Sequence, residues 1–300
     1  MDRRFQYPLL LKAVFFLCLL SSCASCKKAP ETVQIDQQPF NFFVAGHVYG
    51  NRAHADTSIG MYPPFKRELE LLAGDGEMEL GVLTGDFVEQ PEAAYYEQLE
   101  TDLGVLDFPV RFALGNHDTK WQAGTTLAGE FDERCGARYG KWRHKRSLFF
   151  FLDSNQDHWR IEGRQMEMVE RELADLEDID QIFLFTHNIL WWDPDSTGLH
   201  HAATPNSTWN RHPEVLFWDG LVPVLEETQR PVWIFAGDTG AHCNGRETSY
   251  WSEGNLHLVS NGMGCDGRSS YLRVRVDGGV SVELVGLDGA EPGSLEDWRY

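Results

Sequence analysis

The stretch "RFALGNHDTK" (residues 111–120) decides how this chain is read. An apolar run ends at Gly115, and Asn116, His117 and Asp118 follow at once. Each can bind a metal or take part in moving a proton. A short apolar run closed by a glycine reads as a buried strand entering a tight turn. Delivering polar side chains at the carboxyl end of a strand is how open α/β sheets present ligand sites.

Four other apolar runs end in the same manner. "FFVAG" leads to His47, "LGVLTG" to Asp86, "IFLFT" to His187 and "VWIFAG" to Asp238. Strand ends at one edge of a sheet converge, so His47, Asp86, Asn116, His187 and Asp238 are expected to form one metal cluster. Imidazole, carboxylate and amide donors suit Mn, Fe, Zn or Ni better than a thiolate-seeking ion.

Between these runs the apolar period changes from strand to helix. "FNFFVAG", "MELGVLTG", "FPVRFALG", "SLFFFLD", "QIFLFT" and "PVWIFAG" predict strands, as do "LHLVS", "SYLRVRVD" and "VSVELVGL" near the C-terminus. "PFKRELELLAG" predicts a helix ended by Gly74, and "PEAAYYEQLETDLG" a second one opening with proline. "GRQMEMVERELADLE" sets Met166, Val169, Leu173 and Leu176 on one helical face, and "HPEVLFWDGLVPVLEET" reads as mostly helix. Continuous apolar strands separated by helices predict an α/β fold with a mixed sheet buried on both faces. One domain is expected over residues 39–300.

The series "AGH", "GDF", "GNHD", "TH" and "AGDTG" resembles the calcineurin-like metallophosphoesterases. "FFFLDSN" and the Gln-led "RQMEMVERELADL" support the resemblance, which covers roughly residues 40–270. It implies a four-layer α/β/β/α sandwich around two mixed β-sheets. It also implies divalent metal ions and hydrolysis of phosphate esters by a metal-activated water. On that pattern Asn116 is a metal ligand, His117 stands beside the phosphoryl group as the proton-transfer residue, and Asp118 orients His117 through a hydrogen bond.

The chain departs from the family at two motifs. Ala45 stands where the family has an aspartate, and "GDTG" (237–240) replaces a Gly-His-any-His motif. By carry-over the first metal position would use Ala45, His47, Asp86 and Gly240, two of which offer no side-chain donor. The second would use Asp86, Asn116, His187 and Asp238, all of which can bind. One divalent ion is therefore preferred, two remaining possible, with His54 and His242 as potential substitute ligands. Restoring Ala45→Asp and Gly240→His should rebuild the first position. The expected function is a metal-dependent phosphoester hydrolase acting on a small-molecule or polymer substrate. The competing reading is a non-catalytic relative that binds an anionic ligand or surface polymer.

The N-terminus has a separate character. Basic residues flank the apolar "AVFFLCLL", which runs into "LSSC", the layout of a secretory signal with a lipobox-like end. Residues 1–22 are expected to be a lipoprotein signal peptide, Cys23 the lipidated residue, and 23–38 an anchor linker. The protein would then lie outside the cytoplasm, on the membrane of a bacterial cell envelope. In that oxidising setting Cys243 and Cys265 are the preferred disulfide pair. A net charge of −20 repels phosphate backbones, so nucleic acid is not an expected partner.

Two other stretches invite a functional reading. "KWRHKR" (141–146) is the one basic run in an acidic chain and could attract an anion. The long segment after His187 carries Trp191, Trp192 and Trp209, which could stack on a sugar or base.

Overall fold

The computed structural model describes residues 38–50, 59–122, 125–127, 129–195, 203–243, 246–265 and 267–300. The signal peptide, Cys23, almost all of the linker and His54 lie outside the described residues. In chain order the elements are β1 (Phe40–Ala45), α1 (Pro63–Ala73), β2 (Met78–Thr84), α2 (Ala93–Leu103) and β3 (Val110–Ala113). A small hairpin follows, β4 (Lys120–Gln122) and β5 (Thr125–Leu127), then α3 (Gly129–Arg134), β6 (Gly140–His144), β7 (Ser147–Phe151), α4 (Arg164–Leu173) and β8 (Gln181–Thr186). The remainder is α5 (Val222–Glu226), β9 (Val232–Ala236), β10 (Thr248–Glu253), β11 (Leu256–Asn261), β12 (Ser270–Val276) and β13 (Val280–Gly286).

Apart from the β4–β5 hairpin, these strands form two mixed sheets. One has the order β13-β12-β1-β2-β3, the other β10-β11-β9-β8-β7-β6. The pairs β1–β2, β2–β3, β7–β8, β8–β9 and β9–β11 are parallel, and β1–β12, β12–β13, β10–β11 and β6–β7 are antiparallel. Strand alternation sorts the side chains into layers. In the second sheet Phe149, Phe183, Phe185 and Phe235 face the first sheet, where they meet Phe42, Leu80 and Val82. The aliphatic residues between them, Leu148, Ile182, Leu184 and Ile234, face α4 and α5. On the outer face of the first sheet, Phe43 and Leu83 pack with Phe65, Leu69 and Tyr96 of α1 and α2. Three apolar layers between two helical layers and two sheets make the four-layer sandwich.

The expected strands all form. Met166, Val169, Leu173 and Leu176 do pack on one apolar core, although α4 ends at Leu173. At its start, buried Gln165 accepts from the Asp153 N–H at 2.9 Å and donates to the Asp153 carbonyl at 3.0 Å. That fastens the helix to the end of β7. The helix expected over "HPEVLFWDGLVPVLEET" is much shorter. Leu216 takes a left-handed φ of 61°, a π-type turn covers Phe217–Leu221, and only Val222–Glu226 is α-helical. A left-handed residue stops helix propagation from its N-terminal side.

The basic run belongs to β6 and the turn into β7, and its cations are paired within the fold. Lys141 pairs with Glu172, His144 and Lys145 with Glu79, and Arg146 with Asp180; Arg143 donates to the Asp175 carbonyl. Its charge is spent within the fold. Cys243 and Cys265 are disulfide-bonded, as expected from the sequence. Among the described residues no helix is long and apolar enough to cross a membrane. All described residues belong to one compact unit, Ile35–Tyr300.

Candidate metal centre

The sandwich brings the five strand ends together. His47, Asp86, Asn116, His117 and Asp238 line one cleft of about 400 Å³, with His187 fully buried at its floor. Two of these residues hold left-handed backbones, His47 at φ 55° and Asp86 at φ 53°. Such a conformation is uncommon for a residue with a Cβ. Here it turns the chain sharply off β1 and β2, at the sheet edge where the cleft opens. Gly85, at φ 83°, must be glycine, because a Cβ there would lie 2.3 Å from His187 Nδ1.

Backbone carbonyls set the orientation of all three histidines. His187 Nδ1–H donates to the Thr84 carbonyl at 3.1 Å, His47 Nδ1–H to Met263 at 3.1 Å and His117 Nδ1–H to Glu89 at 3.0 Å. Each ring then keeps Nε2 as its free donor atom, the arrangement by which outer hydrogen bonds aim metal-binding imidazoles. His187 Nε2 lies 3.0 Å from Asn116 Oδ1, 3.4 Å from Asp86 Oδ1 and 3.8 Å from Asp238 Oδ1. His47 Nε2 is 3.7 Å from Asp86 Oδ2.

A neutral His187 would set a lone pair against three oxygens. A proton or a metal ion between them resolves that repulsion. Burial alone would lower the His187 pKa, but the Asp86 and Asp238 carboxylates outweigh it and the net shift is upward. Burial would likewise raise Asp86, yet the three surrounding histidines hold it below the usual carboxylate range. Asp238 is pushed up to about 6 by burial and the Asp86 charge, against the pull of His187. His47 is lowered to about 4, chiefly by burial.

The donor set fits a divalent ion. The ligand atoms of Asp86, His187 and Asp238 lie within 4.8 Å of one another. Asp238 Oδ1 is buried with no hydrogen-bond partner, an omission that costs on the order of 1–3 kcal/mol unless something fills it. Two carboxylates balance the charge of one such ion, and the mixed oxygen and imidazole set suits a first-row metal.

Asp118 does not have the expected role. Its carboxylate accepts four backbone N–H bonds, from Asp86 at 2.9 Å, Phe87 at 2.9 Å, Val88 at 3.2 Å and Gly115 at 2.7 Å. Burial and the Asp86 charge raise its pKa to about 7, while the four donors favour the anion. Asp118 therefore braces the loop that carries Asp86, and the Glu89 carbonyl orients His117 instead.

The replaced motif at 237–240 is built into the backbone packing. Gly240 sits at φ 89°, and a Cβ there would lie 2.5 Å from the Gly262 carbonyl oxygen. A histidine cannot be restored at this position without moving the chain, so Gly240→His would not rebuild the first metal position. His242 lines the cleft. Sequence reasoning missed the polar lining residues Tyr49, Gln90, Asn206 and Ser207, and with them Gly50 and Ala241. The Tyr49 ring lies against His47 and His117, with centroids 4.4 and 5.1 Å away. Its position two residues past His47 was the available signal. Asn206 and Ser207 carried none, because a loop returning from far along the chain places them.

Of the three tryptophans after His187, Trp191 is in the core against Phe217 and cannot reach a ligand. Trp192 is half-buried beneath the Arg211 guanidinium, and Trp209 is exposed.

A family model for calcineurin-like phosphoesterases matches residues 53–241, and the chain belongs to that family. No curated protein matches the sequence. Among solved structures, the chain is similar to a purple acid phosphatase from yellow lupin (Lupinus luteus) seeds. The identity is 13% and the TM-score 0.61, over 86% of this chain and 53% of that one. The chain thus spans about half the length of that phosphatase, and the likeness is one of fold. A phosphopantetheinyl hydrolase from Mycobacterium tuberculosis aligns at 12% identity over 76% of this chain and 91% of that one, with a TM-score of 0.41.

Proposed function

We propose that the protein is a phosphoester hydrolase working with one divalent ion, Mn, Fe or Zn, in the second of the family's two positions. The observation that carries this is the Asp86–His187–Asp238 cluster with its unpartnered Asp238 oxygen. Asn116 supplies a fourth donor and His47 stands at the margin of the set. When bound, such an ion offers Lewis acidity and lowers the pKa of water from ~15.7 towards ~7. His117 faces the cleft with Nε2 free and Nδ1–H held by Glu89. In its protonated form it can steady a phosphoryl oxygen and give a proton to the leaving oxygen as the P–O bond breaks.

The altered first position favours a second reading. Ala45 and the packed Gly240 remove two family ligands, and a relative so changed could bind an anionic ligand or surface polymer without turnover. One experiment separates the two: measure bound metal and screen phosphomono- and phosphodiesters with Mn²⁺. The hydrolase reading expects about one metal per chain. His187→Ala or Asp238→Ala abolishes binding, while His47→Ala only weakens it. His117→Ala lowers kcat by ~10²–10⁴ with metal content preserved. Hydrolysis no faster than in the His117→Ala protein supports the binding reading, and two metals in the unaltered protein reject the single-ion site.

We further propose that the chain is held outside the cytoplasm on a bacterial membrane through Cys23, with a small-molecule or polymer phosphoester as substrate and no nucleic acid partner. The lipobox-like "LSSC", the Cys243–Cys265 disulfide and the acidic composition support this.

A further inference from the structure

Tyr49 lines the cleft, yet neither the ligand set nor the proton transfer by His117 accounts for it. Its half-buried ring lies against two histidines, with centroids 4.4 Å from His47 and 5.1 Å from His117. Those two residues belong to different parts of the proposed reaction. His47 stands at the margin of the metal ligands, and His117 faces the phosphoryl group. The phenol therefore touches both the edge of the ligand cluster and the proton donor. The local backbone turns to put it there. The Tyr49 N–H donates to the Asp86 carbonyl at 3.4 Å, and the Gly50 N–H to the His47 carbonyl at 3.0 Å. Gly50 takes a φ of 78°, and a Cβ there would lie 2.7 Å from the Tyr62 ring. Among the described residues the Tyr49 hydroxyl has no hydrogen-bond partner. A phenol is protonated at neutral pH, so it is a free donor.

The altered metal motifs give such a donor a purpose. A pair of ions stabilises both the attacking and the leaving oxygens of a displacement. In this chain His47 survives from the family's first position, but Ala45 and Gly240 bring no side-chain donor to it. Negative charge gathering on the phosphoryl oxygens beside His47 must then be met by hydrogen-bond donors of the protein. Tyrosine hydroxyls can serve in that way where charge develops in a reaction. Tyr49 packs on His47 with its donor uncommitted, and the cleft of about 400 Å³ has room for a small phosphoester.

We infer that Tyr49 is a further catalytic residue: its hydroxyl donates a hydrogen bond to a non-bridging oxygen of the phosphoryl group, beside His47. This rests on the phosphoester reading above and adds a residue to it. A water oxygen joins phosphorus and loses a proton to solvent, the ester P–O bond breaks, and the leaving oxygen takes the His117 proton. The phenol keeps its own proton throughout. The test compares metal-loaded wild type with Tyr49→Phe, which removes the hydroxyl and keeps the ring, on p-nitrophenyl phosphate and bis-p-nitrophenyl phosphate. On whichever ester is turned over, kcat should fall by ~10²–10³, the cost of one lost oxyanion donor. Metal content and the pH dependence of kcat should not change. A tyrosine that only packs on the histidines would leave kcat intact in this variant, since phenylalanine keeps that packing. Inorganic phosphate, titrated by calorimetry, should bind Tyr49→Phe about tenfold more weakly than wild type, the scale of one hydrogen bond to a charged group. Wild-type kcat in Tyr49→Phe overturns the inference alone, as does a loss of kcat that merely follows lost metal. If neither ester is turned over, the phosphate titration decides: equal binding to both proteins overturns the inference. Failure of phosphate to bind the wild type overturns the phosphoester reading as well.

Discussion

Among single side chains, Asp118 shows how a motif residue can serve a site without touching the chemistry. Four N–H groups from two loops converge on it and fix the backbone of Asp86, whose own Oδ1 accepts from the His117 N–H at 2.9 Å. Asp118→Asn turns one accepting oxygen into an NH₂ that faces N–H donors. Each stranded buried group costs about 1–3 kcal/mol, so a loss on the order of 3 kcal/mol is expected in urea unfolding, together with weaker metal binding. An unchanged urea midpoint, with kcat as low as in His117→Ala, would return Asp118 to the orienting role that the Glu89 carbonyl holds here.

Among the elements, the two sheets meet through aromatic rings. Phe183 on β8 lies 5.1 Å from Phe42 of β1 and 5.0 Å from Phe149 of β7, centroid to centroid, and is fully buried. His187 follows the last residue of the same strand, and its ring bonds to Thr84 at the end of β2 in the other sheet. Inter-sheet packing therefore sets the distance between Asp86 on one sheet and His187 and Asp238 on the other. Phe183→Ala should cost about 3–5 kcal/mol, as for other buried phenylalanines, and should loosen metal binding although Phe183 touches no ligand. Chemical denaturation and metal titration of one preparation check both. Full metal affinity in a clearly destabilised variant would show that the centre does not depend on sheet spacing.

For the molecule as a whole, charge and cysteine usage bear on where it works. The chain carries −20, and the cations of its one basic run are committed within the fold. Cys243 and Cys265 close a loop next to Met263, whose carbonyl holds His47. Burial pushes the half-buried Cys135 thiol up to about 12, which keeps it protonated and unreactive at neutral pH. These traits suit an oxidising exterior. In a bacterial host, Cys23→Ser should leave the precursor unprocessed and free the protein from the membrane fraction, read by palmitate labelling and fractionation. Unchanged processing and retention would reject the lipid anchor.

The strand ends, their order and the side chains that cluster beyond them could all be read from the sequence. Each is signalled locally, by an apolar run, a turn residue and a polar residue within a few positions. The two-layered use of "SLFFF" and "QIFLFT" follows in the same way from strand alternation. The partners across the fold could not be read. Asp118 meets Asp86 across 32 positions, His47 meets Met263 across 216, and the cations of "KWRHKR" meet acids up to 66 positions away. Whether Gly240 could carry a histidine depends on the Gly262 carbonyl behind it, and which tryptophan stays exposed depends on how the loop after His187 returns to Thr239. Such contacts are set by packing between segments distant in the chain, for which no residue-by-residue pattern carries a signal. The side-chain types of the cluster were therefore legible from the strand ends, whereas the bracing by Asp118 and the packing behind Gly240 came from the tertiary structure.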